Sequence, residues 1–260
     1  MSKYVKAANW VSEQRQAKNI FQNFNKMFNL ESFEDAYLVQ DSLETVWAHK
    51  GDVIGYKLAL TSKAMQNMFG VSTPFKGNLF SETILKGDQV ISLKNYGRLG
   101  VEFELAIEIG EDFGTNLRDL TVEKCMSKVS AVCPAFELID DRNADYSTVD
   151  LISQTADNSW NANTVLGSRS EKFSHLDFSD NQVFKNINGN IETSVTGAAL
   201  ENPFNAVIWI ADFLSKRGSE LKKGQIVMTG STFPTYFPQL GDVIEFEVFD
   251  IGKIKINIVK

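Results

Sequence analysis

The chain has 260 residues, a hydrophobic content of 43% and a formal net charge of -7 at pH 7. Nucleic-acid backbones and anionic lipid surfaces require clustered Lys and Arg, so this acidic balance argues against both as partners. Two cysteines and two histidines exclude a disulfide framework and a histidine-rich metal site. The sequence shows neither an apolar signal core nor an apolar run long enough to span a bilayer, so we expect a cytoplasmic protein with no membrane partner.

The first quarter of the chain predicts helices. Residues 3–30 are polar with scattered aromatic side chains, as in one or two short helices. Ser32 can cap a clearer helix, because Asp35 follows at capping-box spacing and apolar residues then recur at helical intervals. Residues 1–52 are therefore interpreted as a helical N-terminal cap.

The next segment carries an unusual basic residue. Residues 53–60 predict a mostly apolar strand that contains Lys57. Burial of a lysine is costly unless a carboxylate or ligand compensates the charge, and a side chain that reaches solvent is the simpler interpretation. Residues 61–69 predict a short helix ended by Gly70, and residues 72–82 have the composition of a turn-rich loop.

Residues 98–110 predict a strand with two unlike faces. Because side chains alternate along a strand, Glu102 and Glu104 share one face with small Ala106, and the other face is apolar. If the polar face is buried, two carboxylates require a cation, since desolvation and mutual repulsion oppose both charges. Mg²⁺ or Mn²⁺ with oxygen ligands would compensate them. A solvated polar face is the alternative, and this stretch alone favours it.

A third acid follows later in the chain. Residues 121–132 predict a helix, and residues 134–139 predict a buried strand that carries Glu137. This acid strengthens the metal interpretation, because hard divalent cations often take three protein carboxylates. An ion pair of Glu137 with Lys57 or Arg142 is the alternative.

The remaining segments complete a β-rich α+β pattern. The predicted elements are a short helix at 150–156, a polar loop at 157–163, a hairpin at 182–195, a helix that begins at Asn202-Pro203, a strand at 225–228 and a last hairpin at 243–259. The Asn188-Gly189 pair provides the two-residue turn of the first hairpin.

Seven segments, in order along the chain, resemble the fumarylacetoacetate hydrolase superfamily. The resemblance is to the branch that contains 2-keto-4-pentenoate hydratase, 2-oxohept-3-ene-1,7-dioate hydratase and 4-oxalocrotonate decarboxylase. The segments are LESFEDAYLVQDSL (30–43), GYKLALTSKAMQ (55–66), GVEFELAIEIG (100–110), PAFELIDDR (134–142), TADNSWNANTVLG (155–167), ENPFNAVIWIADFL (201–214) and IVMTGS (226–231). The resemblance implies that residues 53–260 form one mixed β-roll catalytic domain behind the helical cap, and that the protein is a homo-oligomer.

The same resemblance implies a metal centre. Glu102, Glu104 and Glu137 are expected to bind Mg²⁺ or Mn²⁺, with Lys57 beside the metal as the catalytic proton shuttle. The substrate is expected to be a small 2-oxo or 2-hydroxydienoic acid that chelates the metal, so that the cation stabilises an enolate.

Two further segments supply candidates for substrate binding. Thr229, Gly230 and Ser231 offer backbone and hydroxyl donors to a substrate carboxylate. Asn158 and Ser159 offer similar donors, and ordinary turn chemistry is the alternative for these two.

One departure from the family pattern concerns catalysis. Relatives of this branch have an acid in a P-D-Y/F-G sequence, whereas this chain has Phe75 in the motif Pro74-Phe75-Lys76-Gly77. The nearest replacement is Glu82, which we treat as a second candidate catalytic residue.

The expected activity is a metal-dependent hydratase that adds water to a 2-hydroxy-2,4-dienoate and gives a 4-hydroxy-2-oxo acid, in aromatic meta-cleavage catabolism. One alternative is a 4-oxalocrotonate-type decarboxylase, or another lyase or hydrolase acting on a 2-oxo acid. Another alternative, motivated by the missing acid at Phe75, is a catalytically impaired protein that binds an oxo acid.

Overall fold

The computed structural model describes residues 1–260, with every side chain except those of Ala64 and Met68. Its helices are α1 (Lys3–Gln16), α2 (Phe33–Val46), α3 (Lys63–Phe69), α4 (Val122–Met126), α5 (Leu151–Ala156) and α6 (Phe204–Lys216). Its strands are β1 (Val53–Ala59), β2 (Phe75–Phe80), β3 (Ile84–Lys86), β4 (Gln89–Ser92), β5 (Leu99–Ile109), β6 (Val129–Asp140), β7 (Asn161–Leu166), β8 (Gln182–Ile187), β9 (Asn190–Val195), β10 (Ile226–Ser231), β11 (Val243–Val248) and β12 (Gly252–Val259). Among the described helices, none combines the length and apolar character needed to cross a bilayer.

The strands form two sheets. The larger sheet has the order β2-β1-β10-β5-β6-β7-β3, and the smaller has the order β4-β12-β11-β8-β9. Strands β2 and β3 are consecutive in the chain but lie at opposite edges of the larger sheet, so this sheet curls round. Parallel pairs (β1 with β10, β3 with β7) occur among antiparallel ones. The predicted α+β fold with a mixed β-roll is confirmed.

The apolar face of β5 builds the main core. Phe103 lies within 5.6–5.7 Å, between ring centroids, of Phe136, Phe233 and Phe246. Burial of each such ring contributes roughly 1.5–3 kcal/mol. The opposite face carries Ala106, which packs in a separate cluster, so the concave side of the sheet has room for functional side chains.

The N-terminal helices pack on the roll through apolar contacts. Ser32 caps α2 by accepting a hydrogen bond from the Asp35 N–H, as expected. Side chains of α1 and α2 share a hydrophobic cluster with Phe80, Ile139 and Trp160. The boundary between a cap at 1–52 and a catalytic unit at 53–260 remains a prediction.

The prediction of a loop at 72–82 is wrong, because most of this segment is the fully buried strand β2. Gly77 and Asn78 have low strand propensity, but pairing with β1 overrides it. Glycine is needed at position 77, since a Cβ there would lie 2.7 Å from the Asn158 carbonyl oxygen.

The helix predicted at 121–132 is also too long. Helix α4 ends at Met126, and β6 begins at Val129, well before the predicted strand at 134–139. Short apolar runs are compatible with either a helix or a strand. Residues 129–132 form a strand because they pair with the end of β5.

Lys76 on β2 gives a testable pH dependence. Its ammonium is buried and donates to Gln40 Oε1 (2.8 Å) and Asn78 Oδ1 (2.7 Å). Desolvation lowers its pKa from 10.5 to about 8. Between these values the unfolded chain binds more protons than the folded protein, so Lys76 makes stability rise with pH.

Relative to Lys76→Met, the free energy of unfolding of the wild type should therefore rise by up to about 3 kcal/mol between pH 8 and pH 10.5. Urea unfolding of both proteins across this range measures the difference. A constant or shrinking difference would contradict the prediction.

Candidate active site

Three carboxylates meet on the concave face of the larger sheet. Strands β5 and β6 are antiparallel neighbours, and Glu102 pairs directly with Glu137. Glu104 lies two residues along β5 on the same face. One carboxylate oxygen from each of the three residues lies within 4.8 Å of the other two. The strand register therefore brings together acids that are far apart in sequence.

Burial makes this cluster electrostatically unfavourable by itself. Glu104 and Glu137 are fully buried, and Glu102 is half-buried. Desolvation, with repulsion from the neighbouring carboxylates, raises the pKa of Glu104 well above its ordinary value. Desolvation also raises the pKa of Glu137, although Lys57 opposes the shift.

Two carboxylate oxygens point to what would relieve this repulsion. Glu104 Oε1 and Glu137 Oε2 are buried and have no hydrogen-bond partner among the described residues. Buried polar atoms are rarely left unpaired, and a third carboxylate lies beside them. An all-oxygen set of three acids is the donor set that Mg²⁺ or Mn²⁺ prefers, so these residues fit a hard divalent cation.

The other oxygens of the three acids are held by hydrogen bonds. The Gly230 N–H donates to Glu104 Oε2 (2.8 Å), Asn161 Nδ2 to Glu137 Oε1 (3.0 Å), and Thr235 Oγ1 to Glu102 Oε1 (2.6 Å). Such outer partners orient metal ligands. Sequence reasoning missed Asn161 and Thr235; only the amide-rich loop at 157–163 gave a signal for Asn161.

Gly230 has a backbone reason for its identity. Its φ is +100°, and a Cβ there would lie 2.2 Å from Thr61 Oγ1. Glycine alone allows the chain to pass this close to Thr61 while its N–H faces Glu104.

Lys57 lies beside the cluster. Its Nζ is 3.1 Å from Glu137 Oε1, and the residue is 2% exposed. Burial lowers the pKa of Lys57, but the carboxylates of Glu137, Glu102 and Glu104 outweigh this and raise it. The ion pair considered as an alternative to a metal site is thus part of the same cluster.

A cavity of about 540 Å³ opens over Lys57 and Glu102. Its apolar walls come from the β1–α3 connection, from α3 itself and from the segment after β10. They include Leu60, Met65, Phe69, Phe233 and Pro234. Among the described lining residues, Lys57 is the single basic side chain.

Two of the predicted substrate-binding residues, Ser159 and Ser231, line this cavity. Both hydroxyl groups already donate to backbone: Ser159 to the Lys76 carbonyl (2.9 Å) and Ser231 to the Phe233 carbonyl (2.8 Å). The Ser231 hydroxyl also accepts a hydrogen bond from the Phe103 N–H (2.9 Å). Donation to a ligand therefore requires each hydroxyl to exchange its bond to the carbonyl.

Asn158 and Thr229 lie nearby but are occupied elsewhere. Asn158 exchanges two side-chain hydrogen bonds with the backbone of Asn78 (2.6 and 2.9 Å). The Thr229 hydroxyl donates to the Leu105 carbonyl (2.8 Å). Turn and strand chemistry, the alternative considered for the loop, accounts for these contacts.

The segment that presents Ser159 is strained. Asn158, Ser159 and Trp160 have φ values of 51°, 49° and 61°, a left-handed conformation that non-glycine residues rarely adopt. Each costs on the order of 1 kcal/mol, and the Asn158–Asn78 bonds hold the turn in place. This turn brings Ser159 to the cavity.

Glu82 is not part of this arrangement. Strand β2 ends at Phe80, and the following turn leaves Glu82 exposed beside Gly51, outside the residues that line the cavity. Proximity in sequence to the missing acid at Phe75 was its only support. Glu82 therefore has no part in the proposed site.

Comparisons with known proteins show which family this chain resembles. Residues 64–259 match the family profile described as Fumarylacetoacetate (FAA) hydrolase C-terminal. The chain is 30% identical over 224 residues to a 2-keto-4-pentenoate hydratase of Paraburkholderia xenovorans (strain LB400), covering 85% of this chain and 82% of the relative. It is 31% identical over 236 residues to a 2-oxo-hept-4-ene-1,7-dioate hydratase of Escherichia coli, covering 88% and 87%.

Among solved structures, 4-oxalocrotonate decarboxylase from Pseudomonas putida G7, complexed with magnesium and adipate, has a similar fold. The TM-score is 0.90 at 22% sequence identity, over 98% of this chain and 97% of the other. The fold, the acidic cluster and the profile match lead to one assignment: the chain belongs to the fumarylacetoacetate hydrolase family, in which it resembles the 2-keto-4-pentenoate hydratase branch.

Proposed function

We propose that the protein is a metal-dependent hydratase that adds water to a 2-hydroxy-2,4-dienoate and releases a 4-hydroxy-2-oxo acid, in aromatic meta-cleavage catabolism. One observation carries this proposal: Glu102, Glu104 and Glu137 converge beside Lys57, and Lys57 and Glu102 line a cavity. The hydratase relatives, similar over most of the chain, support the reaction type.

Each residue has a definite task in this proposal. Glu102, Glu104 and Glu137 would hold Mg²⁺ or Mn²⁺, which supplies Lewis-acid stabilisation of an enolate oxygen when bound. Lys57 Nζ carries the proton that must move to and from the conjugated chain. Ser159 and Ser231 are placed to contact the substrate carboxylate, and the apolar walls exclude bulk water.

The cavity favours a monocarboxylate substrate over a dicarboxylate such as 4-oxalocrotonate. Lys57 is the one basic side chain among the described lining residues and is already paired with Glu137. A second carboxylate at the far end of a substrate would face apolar groups such as Leu60 and Phe69. An uncompensated charge there is costly.

This argument predicts substrate selectivity. We expect kcat/KM for 2-hydroxypenta-2,4-dienoate to exceed that for 2-hydroxyhepta-2,4-diene-1,7-dioate by roughly 10²-fold or more, since about 3 kcal/mol of desolvation cost corresponds to that factor. Initial rates on both substrates, at the same metal concentration, measure it. Equal values, or a preference for the dicarboxylate, would show that the cavity argument is wrong.

The hydratase proposal itself is tested by following the ultraviolet absorbance of the dienoate with Mg²⁺ or Mn²⁺ present. Mass spectrometry of the product distinguishes a gain of water from a loss of CO₂. We expect a gain of water. Loss of CO₂ would identify a decarboxylase, and oxalate binding without turnover of any dienoate would identify a binding protein.

A further inference from the structure

A second cavity, of about 360 Å³, lies on the other side of the strained turn and shares no lining residue with the first. It is formed by the end of α1, the segment after α2, the segment before β5 and the start of β7. Its lining residues are Ser12, Arg15, Gln16, Trp47, His49, Lys50, Asn95, Tyr96, Asp140, Ala162 and Asn163.

Three basic side chains and one acid line this second cavity. Arg15, His49 and Lys50 line it together with a single acid, Asp140. The Asp140 carboxylate accepts hydrogen bonds from backbone N–H groups, including those of Gly97 and Arg98, and is thus already occupied. These bonds leave the charge of Asp140 in place, so attraction of an anion depends on the individual basic side chains.

Arg15 is largely occupied by the protein itself. Its guanidinium donates to the Asp157 carboxylate (2.5 Å) and carbonyl (2.7 Å) and to the Asn161 carbonyl (2.8 Å). Because Asp157 compensates the charge of Arg15, we assign the contact with an anion to Lys50.

Lys50 has an aromatic neighbour in place of a counter-ion. Its Nζ lies 3.5 Å from the ring centroid of buried Trp47, and no described carboxylate forms an ion pair with it. Desolvation, together with the charge of Arg15, lowers the pKa of Lys50 to about 7. A ligand carboxylate next to this amine would supply the negative counter-charge that Lys50 lacks.

The remaining walls suit a small organic molecule. Tyr96 gives an apolar wall, and Asn95, Gln16 and Ser12 add polar groups. We propose that this cavity binds a small organic carboxylate, whose charged group pairs with Lys50 beside the Trp47 ring. The site is independent of the proposed catalytic centre.

Calorimetric titration of the metal-loaded protein with benzoate tests this site, carried out with and without saturating oxalate to occupy the catalytic cavity. We expect one equivalent of benzoate to bind under both conditions. Lys50→Met should weaken binding roughly tenfold or more, because a charge-assisted hydrogen bond is lost, and Lys50→Arg should retain most of it. Lys253→Met removes an exposed lysine of β12 and should change nothing.

Three results would overturn the proposal. The first is an absence of saturable benzoate binding, or its disappearance when oxalate is present. The second is equal affinity in wild type and Lys50→Met. The third is displacement of benzoate by an equal concentration of inorganic phosphate, which would show a general anion site.

Discussion

Replacing Glu104 with glutamine is expected to lower metal-dependent activity roughly 10³-fold. Glutamine keeps the shape of the side chain, and its carbonyl oxygen can still accept from the Gly230 N–H. It loses the negative charge beside Glu102 and Glu137. The loss should therefore appear in metal affinity and kcat/KM, with the fold intact.

In the metal-free protein, Glu104→Gln should increase stability. Because burial and neighbouring carboxylates raise the pKa of Glu104, its ionisation opposes folding when no cation is bound. Glu104→Gln should therefore raise the melting temperature in the presence of a chelator and reduce the further rise that Mg²⁺ gives to the wild type.

Glu108→Gln is the matched control for this experiment. Glu108 lies on the same strand, is only half-buried and pairs with Arg169 (2.7 Å) at the surface. This variant should keep its activity and its response to Mg²⁺. Metal-stimulated activity in Glu104→Gln close to that of the wild type would contradict the assigned role.

Lys57→Met is expected to lower kcat by roughly 10²- to 10⁴-fold, the range of general acid–base catalysis, while metal binding persists. Methionine fills a similar volume but removes the ammonium 3.1 Å from Glu137. The metal-free variant should be less stable than the wild type, because Glu137 loses its counter-charge, and added Mg²⁺ should restore much of the stability.

Lys76→Met provides the matched control, since Lys76 is also a buried lysine on the neighbouring strand but does not line the catalytic cavity. It should affect stability and leave the activity of the folded enzyme unchanged. Calorimetry with Mn²⁺ and initial rates on the dienoate separate binding from catalysis. If Lys57→Met retains activity within tenfold of the wild type, another group moves the proton.

Sequence patterns predicted which acids form the site, but not how the fold brings them together. Alternation along one strand places Glu102 and Glu104 on a common face. The pairing of Glu102 with Glu137 depends on the register of β5 and β6, which periodicity does not encode. The family resemblance supplied that link, and the structure brings the three acids together.

Residues whose role depends on tertiary contacts were missed. Thr235 belongs to no recognisable motif, and its hydrogen bond to Glu102 follows from where the chain passes after β10. The sequence did not predict strand β2, because Gly77 and Asn78 are typical turn residues. Glycine is required at position 77 by its close approach to the Asn158 carbonyl. Glu82 lies outside the lining of the cavity for a related reason: closeness in sequence does not fix the direction of a side chain.

A crystal structure of the protein soaked with Mn²⁺ and oxalate, with anomalous data at the manganese edge, tests the central claim most directly. We predict one anomalous peak bonded to Glu102, Glu104 and Glu137, with oxalate chelating the same ion and Lys57 beside it. A peak at another position, or no peak while Glu137 stays paired with Lys57 alone, would contradict the account.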